Sequence, residues 1–429
     1  MVRSVEMDEQ THNRCAQFVV ENLPSWTYLF QQLIRIPSSF EAEHEIVHFV
    51  ARYIEQLGVP VHRVPHDPHV VRNLRTAAGP ISLVPGRDSL VVRVRGKTAG
   101  PSLVLNAHLD TVPEGDAAEW MNPPYSAHVD VSKNIIYGRG AMDDKAGVVI
   151  SLAVLETILG LPLSVAGDAI FHYVLEDETT GNGSLLCLHA GYGADAAVII
   201  DGTREDRAIN QHAGHLQFEL KVSGRPASVV VSHAGVNAAE VIAALILYLR
   251  SQILALNQHV VAPWSQFPSP FQLVPTKIIS TSDHSTVPTQ ATAAAHVIFP
   301  PPYTVTEMRE FIVREINAFS AARGLPERPV PRWEGLALEP IFSDVSRLEP
   351  FLRESASATG LKFEGIGPST GTSDLRHFVD AQIPCVLYGP GPGYNPHRWD
   401  EHYLLDGLPK MILFFLELID RWCDKETLG

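Results

Sequence analysis

The sequence predicts an α/β protein in which a largely parallel sheet is covered by helices and an α+β domain is inserted. In the first two hundred residues, apolar β-branched runs alternate with helical stretches; the runs are "LVVRV" at 90, "SLVLNA" at 102, "AIFHYVL" at 169 and "DAAVII" at 195. Such alternation is typical of parallel strands that are joined by helical crossovers. Ligands of such sheets bind outside the carboxyl ends of the strands, so the residues that follow these runs are the first candidates for a site.

The pattern changes near residue 212, where "HLQFELKV" alternates strictly between polar and apolar side chains. This alternation predicts an antiparallel strand with one solvated face. The predicted insert continues with a helix at about 236–256, a Pro-rich loop at 263–275, a strand near 294–299 and a helix near 305–322. The segment "RGLPERPVPRW" is predicted to be the linker from the insert back to the first domain, and "IPCVLYGPGPG" resumes the buried-strand pattern of that domain. We therefore expect one discontinuous domain, 1–212 with 330–429, and an inserted domain, 213–329.

The composition argues against several classes of function. The 429 residues include 48 acidic and 33 basic side chains, and the net charge of −15 repels nucleic-acid phosphates and anionic lipid. Four cysteines without a CxxC pair argue against a disulfide framework. The N-terminal residues lack the apolar core of a signal peptide, and Glu156 interrupts the apolar run "AGVVISLAVLETILGLPL", which favours a buried helix over a membrane span. We expect a cytoplasmic protein with a small-molecule partner, and neither a nucleic acid nor a membrane.

Histidine and carboxylate side chains follow the predicted strands. His108 and Asp110 come after "SLVLNA" and lie on the same side of an extended segment, and Asp201 ends "DAAVII". Asp143 lies in the Gly-containing loop "YGRGAMDDKAG", and His397 lies in "GPGYNPHRWDE". Each has an ordinary alternative: His108 as a core histidine, Asp143 and its neighbour Asp144 as a helix N-cap, Asp201 as a turn residue and His397 as a solvated loop residue. Together, two histidines and several carboxylates suit a divalent cation such as zinc, manganese or cobalt.

The stretch "VLEDETTG" places Glu176, Asp177 and Glu178 directly after an apolar run. Unpaired carboxylates beside a core are costly, so either a cation neutralises them or they stand in solvent on a loop. Glu176 shares a strand face with Glu178, which makes it one candidate for a general base. In the simplest interpretation it is a solvated or supporting carboxylate.

The motifs "LNAHLDTVP", "YGRGAMDDKAG", "LEDETTGNGS", "VIIDGT", "GTSDLRHF" and "GPGYNPHRWDE", in this order, resemble the M20 family of dinuclear metallopeptidases and amide hydrolases. The likeness covers nearly the whole chain. It implies hydrolysis of an amide C–N bond in a small or peptide-like molecule by a hydroxide that bridges two divalent ions. Zinc is the first candidate, with cobalt or manganese as alternatives. The insert would be a lid, which mediates dimerisation in many members.

The resemblance also implies a role for each polar residue. His108, Asp143 and Asp201 would hold one ion, and Asp143, Glu178 and His397 would hold the other, with Asp143 bridging. Asp110 would orient His108. Asp177 falls at the position of the general base, where the family usually has a glutamate. An aspartate is shorter by about 1 Å, a difference large enough to matter for the rate.

The lid departs further from the family pattern. Ser228 stands where an oxyanion-binding histidine is expected, Ser285 where an asparagine is expected, and Ile298 where an arginine is expected. His233 and His284 are nearby histidines, and both are predicted to be solvated loop residues. We therefore expect simple N-acetyl and N-succinyl amino acids to be poor substrates. Two alternatives stay open: a non-hydrolytic biosynthetic step, such as a condensation or cyclisation at the same metal site, and a non-catalytic binding protein that retains the metals.

Overall fold

The computed structural model describes Met7 and residues 9–161, 163, 165–202, 206–325 and 327–423. The helices are α1 (Glu9–Arg35), α2 (His44–Gln56), α3 (Pro68–Val71), α4 (Lys145–Gly160), α5 (Asn182–His189), α6 (Ala238–Ala255), α7 (Val305–Arg323), α8 (Glu349–Ala358), α9 (Leu375–Asp380) and α10 (Gly407–Cys423). The strands are β1 (His62–Pro65), β2 (Asp88–Val94), β3 (Leu103–His108), β4 (His128–Asp130), β5 (Ile135–Tyr137), β6 (Ala169–Val174), β7 (Ala196–Ile199), β8 (Arg207–His212), β9 (Gly214–Ser223), β10 (Gln272–Ser280), β11 (Gln290–Phe299), β12 (Ala337–Leu338), β13 (Ile341–Phe342), β14 (Gly365–Ser369), β15 (Cys385–Leu387), β16 (Gly393–Tyr394) and β17 (His402–Leu404).

The chain divides into two compact units. The first contains Met1–Asn210, Ser343–Gly367 and Ser373–Gly429, and the second contains Gln211–Phe342 with Pro368–Thr372. Each unit has its own apolar core. A chain of this length normally builds more than one core, because a single core stops growing at about 250–300 residues.

A central sheet organises the first unit. Within this unit its strand order is β1-β2-β6-β3-β7-β15-β8, with β14 beside β8. The four middle strands, β6, β3, β7 and β15, are parallel, and antiparallel strands flank them. The predicted α/β class with a largely parallel sheet is confirmed. Every residue of β3, β6 and β7 is buried, which explains why their sequences are apolar runs.

Helix α4 forms part of the core of the first unit. Every side chain from Lys145 to Leu155 is buried, as expected for a helix that is apolar on all sides. The prediction of a buried helix in this run is confirmed. A second sheet of this unit, in the order β16-β17-β5-β4, is antiparallel and pairs Tyr137 with His402. That pairing fixes the two loops that carry Asp143 and His397.

The second unit is an antiparallel sheet in the order β10-β11-β9-β12, with α6 and α7 packed on one face. The alternation predicted for β9 is present, since Leu216, Phe218, Leu220 and Val222 are buried. His215, predicted on the solvated face, is instead buried. Burial is tolerated because both ring nitrogens form hydrogen bonds, one with the His296 ring at 2.8 Å and one with the carbonyl oxygen of Thr370 at 2.8 Å. The predicted loop at 263–275 is wrong at its end, where strand β10 begins at Gln272.

One helical stretch of the described chain, Ala238–His259, has the length and apolar character that a membrane crossing requires, with a mean hydropathy of 1.7. Core helices of soluble proteins also meet these criteria, so the stretch is weak evidence for a span. Its residues Ala238, Val241, Ile242, Leu245, Ile246, Leu249 and Ile253 lie in the core of the second unit.

Candidate metal centre

The sheet register brings the predicted site residues to one edge. His108 at the end of β3 pairs with Val174 at the end of β6, two residues before Glu176. Asn106 of β3 pairs with Ile199 of β7, which places Asp201 at the same level as His108. Since the carboxyl ends of parallel strands meet at one edge, the polar residues that follow β3, β6 and β7 converge there.

The ligand atoms form two groups that share Asp143. His108, Asp143 and Asp201 offer atoms that all lie within 4.8 Å of one another, and so do Asp143, Glu178 and His397. His108 Nε2 lies 3.0 Å from Asp143 Oδ1, and His397 Nε2 lies 3.2 Å from Asp143 Oδ2. His397 Nε2 also lies 2.9 Å from Glu178 Oε2. The structure thus brings together all five residues that the resemblance implied, with one oxygen of Asp143 turned toward each group.

The orientation of His108 is fixed through its second nitrogen. Nδ1 lies 2.9 Å from the backbone carbonyl of Asp110 and 3.6 Å from the carboxylate of the same residue. A carbonyl oxygen only accepts, so Nδ1 carries the proton and Nε2 is the nitrogen available to a cation. The Asp110 carboxylate accepts hydrogen bonds from the backbone N–H groups of Asp177 at 3.3 Å and Glu178 at 3.2 Å. Asp110 therefore positions His108 largely through its main chain, and its side chain fixes the two acids.

Asp177 lies inside the cluster. Its Oδ2 is 3.9 Å from His108 Nε2. Burial raises the pKa of Asp177 above its usual range, and the charges of Asp110 and Asp143 add to the shift against the opposing effect of His108. A carboxylate with a raised pKa is a better proton acceptor at neutral pH, as a general base requires.

Asp374 supports Asp177 and was not singled out from the sequence. This buried residue of "GTSDLRHF" lies close enough to Asp177 to influence its pKa, and the Oδ2 atom of Asp374 has no hydrogen-bond partner among the described residues. Burial, together with the charge of Asp177, raises the pKa of Asp374 well above its usual range. A protonated Asp374 can donate to Asp177, which limits the rotation of the shorter side chain.

Glu176 is not a solvated carboxylate, so that half of the prediction is wrong, whereas the alternative of a supporting carboxylate agrees with its contacts. The side chain is buried; Oε1 accepts from Arg87 Nη1 at 2.5 Å and lies 3.2 Å from His66 Nδ1, while Oε2 accepts from Thr180 Oγ1 at 2.5 Å. Burial alone would raise the pKa of Glu176, but these partners, His66 first, lower it to about 2. Arg87 also bonds to Glu43, so Glu176 belongs to a buried ion-pair network. With both oxygens engaged and a low pKa, it is poorly suited to act as a base.

Glu401 holds the loop that carries Asp143, and sequence reasoning missed it. Its buried carboxylate accepts from Arg139 Nη1 at 2.6 Å and from the backbone N–H groups of Gly140 at 3.0 Å, Met142 at 2.8 Å and Asp143 at 3.0 Å. These four donors need a side chain in which both terminal atoms accept, and a carboxylate meets this requirement whereas an amide does not. The feature of the sequence that could have indicated its role is its position in "HRWDE", four residues after His397.

Asp144, next to Asp143, has the capping role considered for both. One of its oxygens accepts from the backbone of Gly147 at 3.2 Å and caps α4, and the other accepts from the backbone of His108 at 3.1 Å. The prediction of a helix cap is therefore confirmed for Asp144. Asp143 is left free to face the two histidines.

The electrostatics of the cluster fit divalent cations. Asp201 Oδ1 is buried and has no hydrogen-bond partner among the described residues, and burial followed by the charge of Asp143 raises the pKa of Asp201 well above its usual range. Burial and Asp143 likewise raise the pKa of Glu178 to about 7. Hydrogen bonds to Asp143 and Glu178 raise the pKa of His397 to about 10. Crowded acids of this kind are relieved by bound cations, and imidazole nitrogen with carboxylate oxygen suits zinc, cobalt or manganese.

The positions that depart from the family pattern lie in the second unit. Ser228 and Ser285 are exposed, and the backbone N–H of Val229 donates to the carbonyl oxygen of Ser285 at 3.1 Å. His233 and His284 are exposed, as predicted. Neither histidine belongs to a metal-binding group in the part of the chain that the structure describes.

Comparisons with known proteins agree with this geometry. Residues 104–421 match the model of peptidase family M20/M25/M40. The chain is 26% identical over 408 residues to the N-formyl-4-amino-5-aminomethyl-2-methylpyrimidine deformylase of Bacillus subtilis, covering 88% of this chain and 89% of the relative. It is 26% identical over 421 residues to the succinyl-diaminopimelate desuccinylase of Methylobacterium nodulans, covering 94% and 97%.

Solved structures share the fold. A tripeptidase from Staphylococcus aureus superposes with a TM-score of 0.74 at 20% identity, covering 96% of this chain and 99% of that one. A dipeptidase from Saccharomyces cerevisiae superposes with a TM-score of 0.76 at 12% identity, covering 98% and 100%. Because the family model matches residues 104–421, which are most of the chain, the chain belongs to peptidase family M20/M25/M40.

Proposed function

We propose that this protein hydrolyses an amide C–N bond of a small or peptide-like molecule with the help of two divalent metal ions. The observation that carries the proposal is the pair of ligand groups that share Asp143 at the carboxyl edge of the sheet. Family membership supports metal-dependent amide hydrolysis as the reaction class.

The proposed ligands divide between two ions. His108, Asp143 and Asp201 hold one, and Asp143, Glu178 and His397 hold the other. Bound there, divalent ions would polarise the scissile carbonyl and lower the pKa of the attacking water. Zinc is our first choice because the donors are imidazole and carboxylate, and cobalt and manganese suit the same donors.

Asp177 is the proposed general base. Its carboxylate would accept a proton from the attacking water and deliver it to the nitrogen of the leaving amine. Asp110 fixes the backbone of Asp177 through a hydrogen bond, and a protonated Asp374 would restrain the Asp177 side chain by donating to it. By holding Asp177 in place, Asp110 and Asp374 compensate in part for a side chain that is one methylene shorter than glutamate, since a misplaced base lowers the rate.

The proposed substrate lacks the free carboxylate of a simple N-acyl amino acid. Ser228, Ser285 and Ile298 replace the polar groups that the resemblance leads one to expect for binding a carboxylate or an oxyanion. One of the similar proteins is named as the deformylase of an aminopyrimidine, a molecule whose name includes no carboxylate. We therefore expect amides of neutral or heteroaromatic amines to be better substrates than acetylornithine or N-acetylmethionine.

A panel of amides tests the function. Metal-loaded enzyme should release amine from neutral formamides and acetamides, and chelation or Asp177→Asn should abolish the release. Brisk turnover of acetylornithine would overturn the substrate class. Metal-dependent conversion without release of amine would favour a condensation or cyclisation instead.

We also propose a cytoplasmic homodimer. Strand β10 is an edge of the sheet in the second unit and exposes Val274, Ile278 and Ile279, and an unpaired apolar edge favours pairing with another chain. Cys15, Cys187, Cys385 and Cys423 are buried and form no disulfide among the described residues, which suits a reducing compartment. Sedimentation of Ile278→Lys should give a monomer where the unaltered protein gives a dimer; a monomer in both would contradict the proposed interface.

A further inference from the structure

We propose that His44 and His48 form a separate metal site, which takes a copper(II) or nickel(II) ion. Both side chains are exposed on helix α2, in the run "HEIVH". Residues four apart on a helix lie on one face, one turn above the other. Their rings are neighbours, with centroids 4.2 Å apart, and the two Nε2 atoms lie 3.0 Å apart.

The distance between the two Nε2 atoms fits one coordination geometry better than another. With metal–nitrogen bonds of about 2.0–2.1 Å, two ligands at 90° are about 2.9 Å apart, whereas two ligands at the tetrahedral angle are about 3.3 Å apart. The observed 3.0 Å is closer to the 90° arrangement. Square-planar and tetragonal sites with nitrogen and oxygen donors are typical of copper(II) and nickel(II), and copper(II) binds imidazole more strongly than zinc does.

The pair is a binding site and not a second hydrolytic centre. "HEIVH" matches the H-E-x-x-H pattern of zinc proteases, in which two histidines of one helix bind zinc and the glutamate is the base. A catalytic zinc normally has a third protein ligand, and no group of three ligand side chains among the described residues includes His44 or His48. Since both rings are exposed, water would complete the coordination.

Neighbouring charges tune the site. Arg52 lies one turn beyond His48 on the same helix face, and its charge acts on His48. Arg63 acts on His48 as well, but its guanidinium pairs with Asp88 at 3.4 Å. Because like charge opposes a bound cation, Arg52→Gln should strengthen copper binding.

Copper titration of the zinc-loaded enzyme, followed by electron paramagnetic resonance and chelator competition, tests the proposal. The unaltered enzyme should take up one copper(II) per chain with a tetragonal spectrum that shows nitrogen ligands. Mutation of a residue that only hydrogen-bonds to a metal ligand typically lowers metal affinity about 10–100-fold. Removal of a ligand itself, in His44→Gln or His48→Gln, should therefore weaken copper binding by at least about tenfold. His189→Gln is the matched control, because this exposed histidine has no second histidine one turn away and should bind copper unchanged.

Two outcomes would overturn the proposal. Equal affinity in His44→Gln, His48→Gln and the unaltered enzyme would mean that the two rings only share a hydrogen bond. A spectrum without nitrogen splittings would place the copper elsewhere. Amide hydrolysis by the zinc-loaded variants should be unchanged, so the result is independent of the proposed function.

Discussion

Replacing Glu401 by glutamine should weaken both the fold and the metal centre. Glutamine keeps the size of the side chain but replaces one oxygen with an NH₂ group, which cannot accept. Each oxygen of Glu401 accepts two hydrogen bonds; Arg139 and Gly140 donate to Oε2, and Met142 and Asp143 donate to Oε1. In the variant, two of these buried N–H donors therefore face the NH₂ group of the glutamine, which cannot accept their hydrogen bonds.

The size of the effect follows from these contacts. An unsatisfied buried donor costs about 1–3 kcal/mol, and more when it is charged. Breaking a buried ion pair such as Arg139–Glu401 costs about 3–5 kcal/mol. We expect Glu401→Gln to lower the free energy of unfolding by about 3–5 kcal/mol, a large part of the usual 5–15 kcal/mol. Because the same bonds hold the Asp143 backbone, metal affinity should fall about 10–100-fold.

Glu43→Gln is the matched control. Glu43 is also a buried carboxylate paired with an arginine, at 2.5 Å from Arg87 Nη2, and the side-chain hydrogen bonds recorded for it within the described chain go to Arg87 and not to the Asp143 loop. Urea unfolding and metal competition with a chelator should show lost stability in both variants and lost metal affinity in Glu401→Gln alone. Metal affinity that is unchanged in Glu401→Gln, or reduced equally in both, would refute the role of Glu401.

Three further predictions concern the acids of "VLEDETTG". Asp177→Asn should keep its metal in elemental analysis and lose about 10²–10⁴-fold in rate, whereas His108→Ala should lose metal; equal metal loss in both would reverse these roles. Glu176→Gln should lower the free energy of unfolding in urea by about 1–3 kcal/mol with little change in kcat/KM, and a collapse of kcat alone would restore Glu176 as the base. The pKa of Glu178 is about 7 in the metal-free fold against a usual 4.5, so the folded state binds more protons between these values. This group should therefore make the metal-free protein less stable as pH rises from about 5 to 7, and a stability in urea that rises instead would contradict the prediction.

The fold was predictable because local patterns encode it, whereas the five proposed ligands were assigned through the resemblance to the M20 family. Apolar runs identify β3, β6 and β7, and the residues at their ends are fixed by strand register alone. The strand order therefore explains why His108, Asp201 and the acids that follow β6 lie at one edge of the sheet.

The supporting residues were not predictable, because their partners are distant in the chain. Glu176 is neutralised by Arg87, 89 residues earlier, and Glu401 meets Arg139 262 residues away. No local pattern distinguishes such a buried carboxylate from a solvated one. The burial of His215 has the same origin, since its partner His296 comes from the neighbouring strand.

The most direct test of the central claim is a calorimetric titration of the metal-free protein with zinc, with amide hydrolysis measured in parallel. His44→Gln is the appropriate background, because it removes the surface site. Two ions should bind per chain in the unaltered centre, with hydrolysis restored as the sites fill, and binding should tighten as pH rises because His397 must lose its proton. One ion per chain, or two bound ions without metal-dependent hydrolysis of any amide in the panel, would contradict the account.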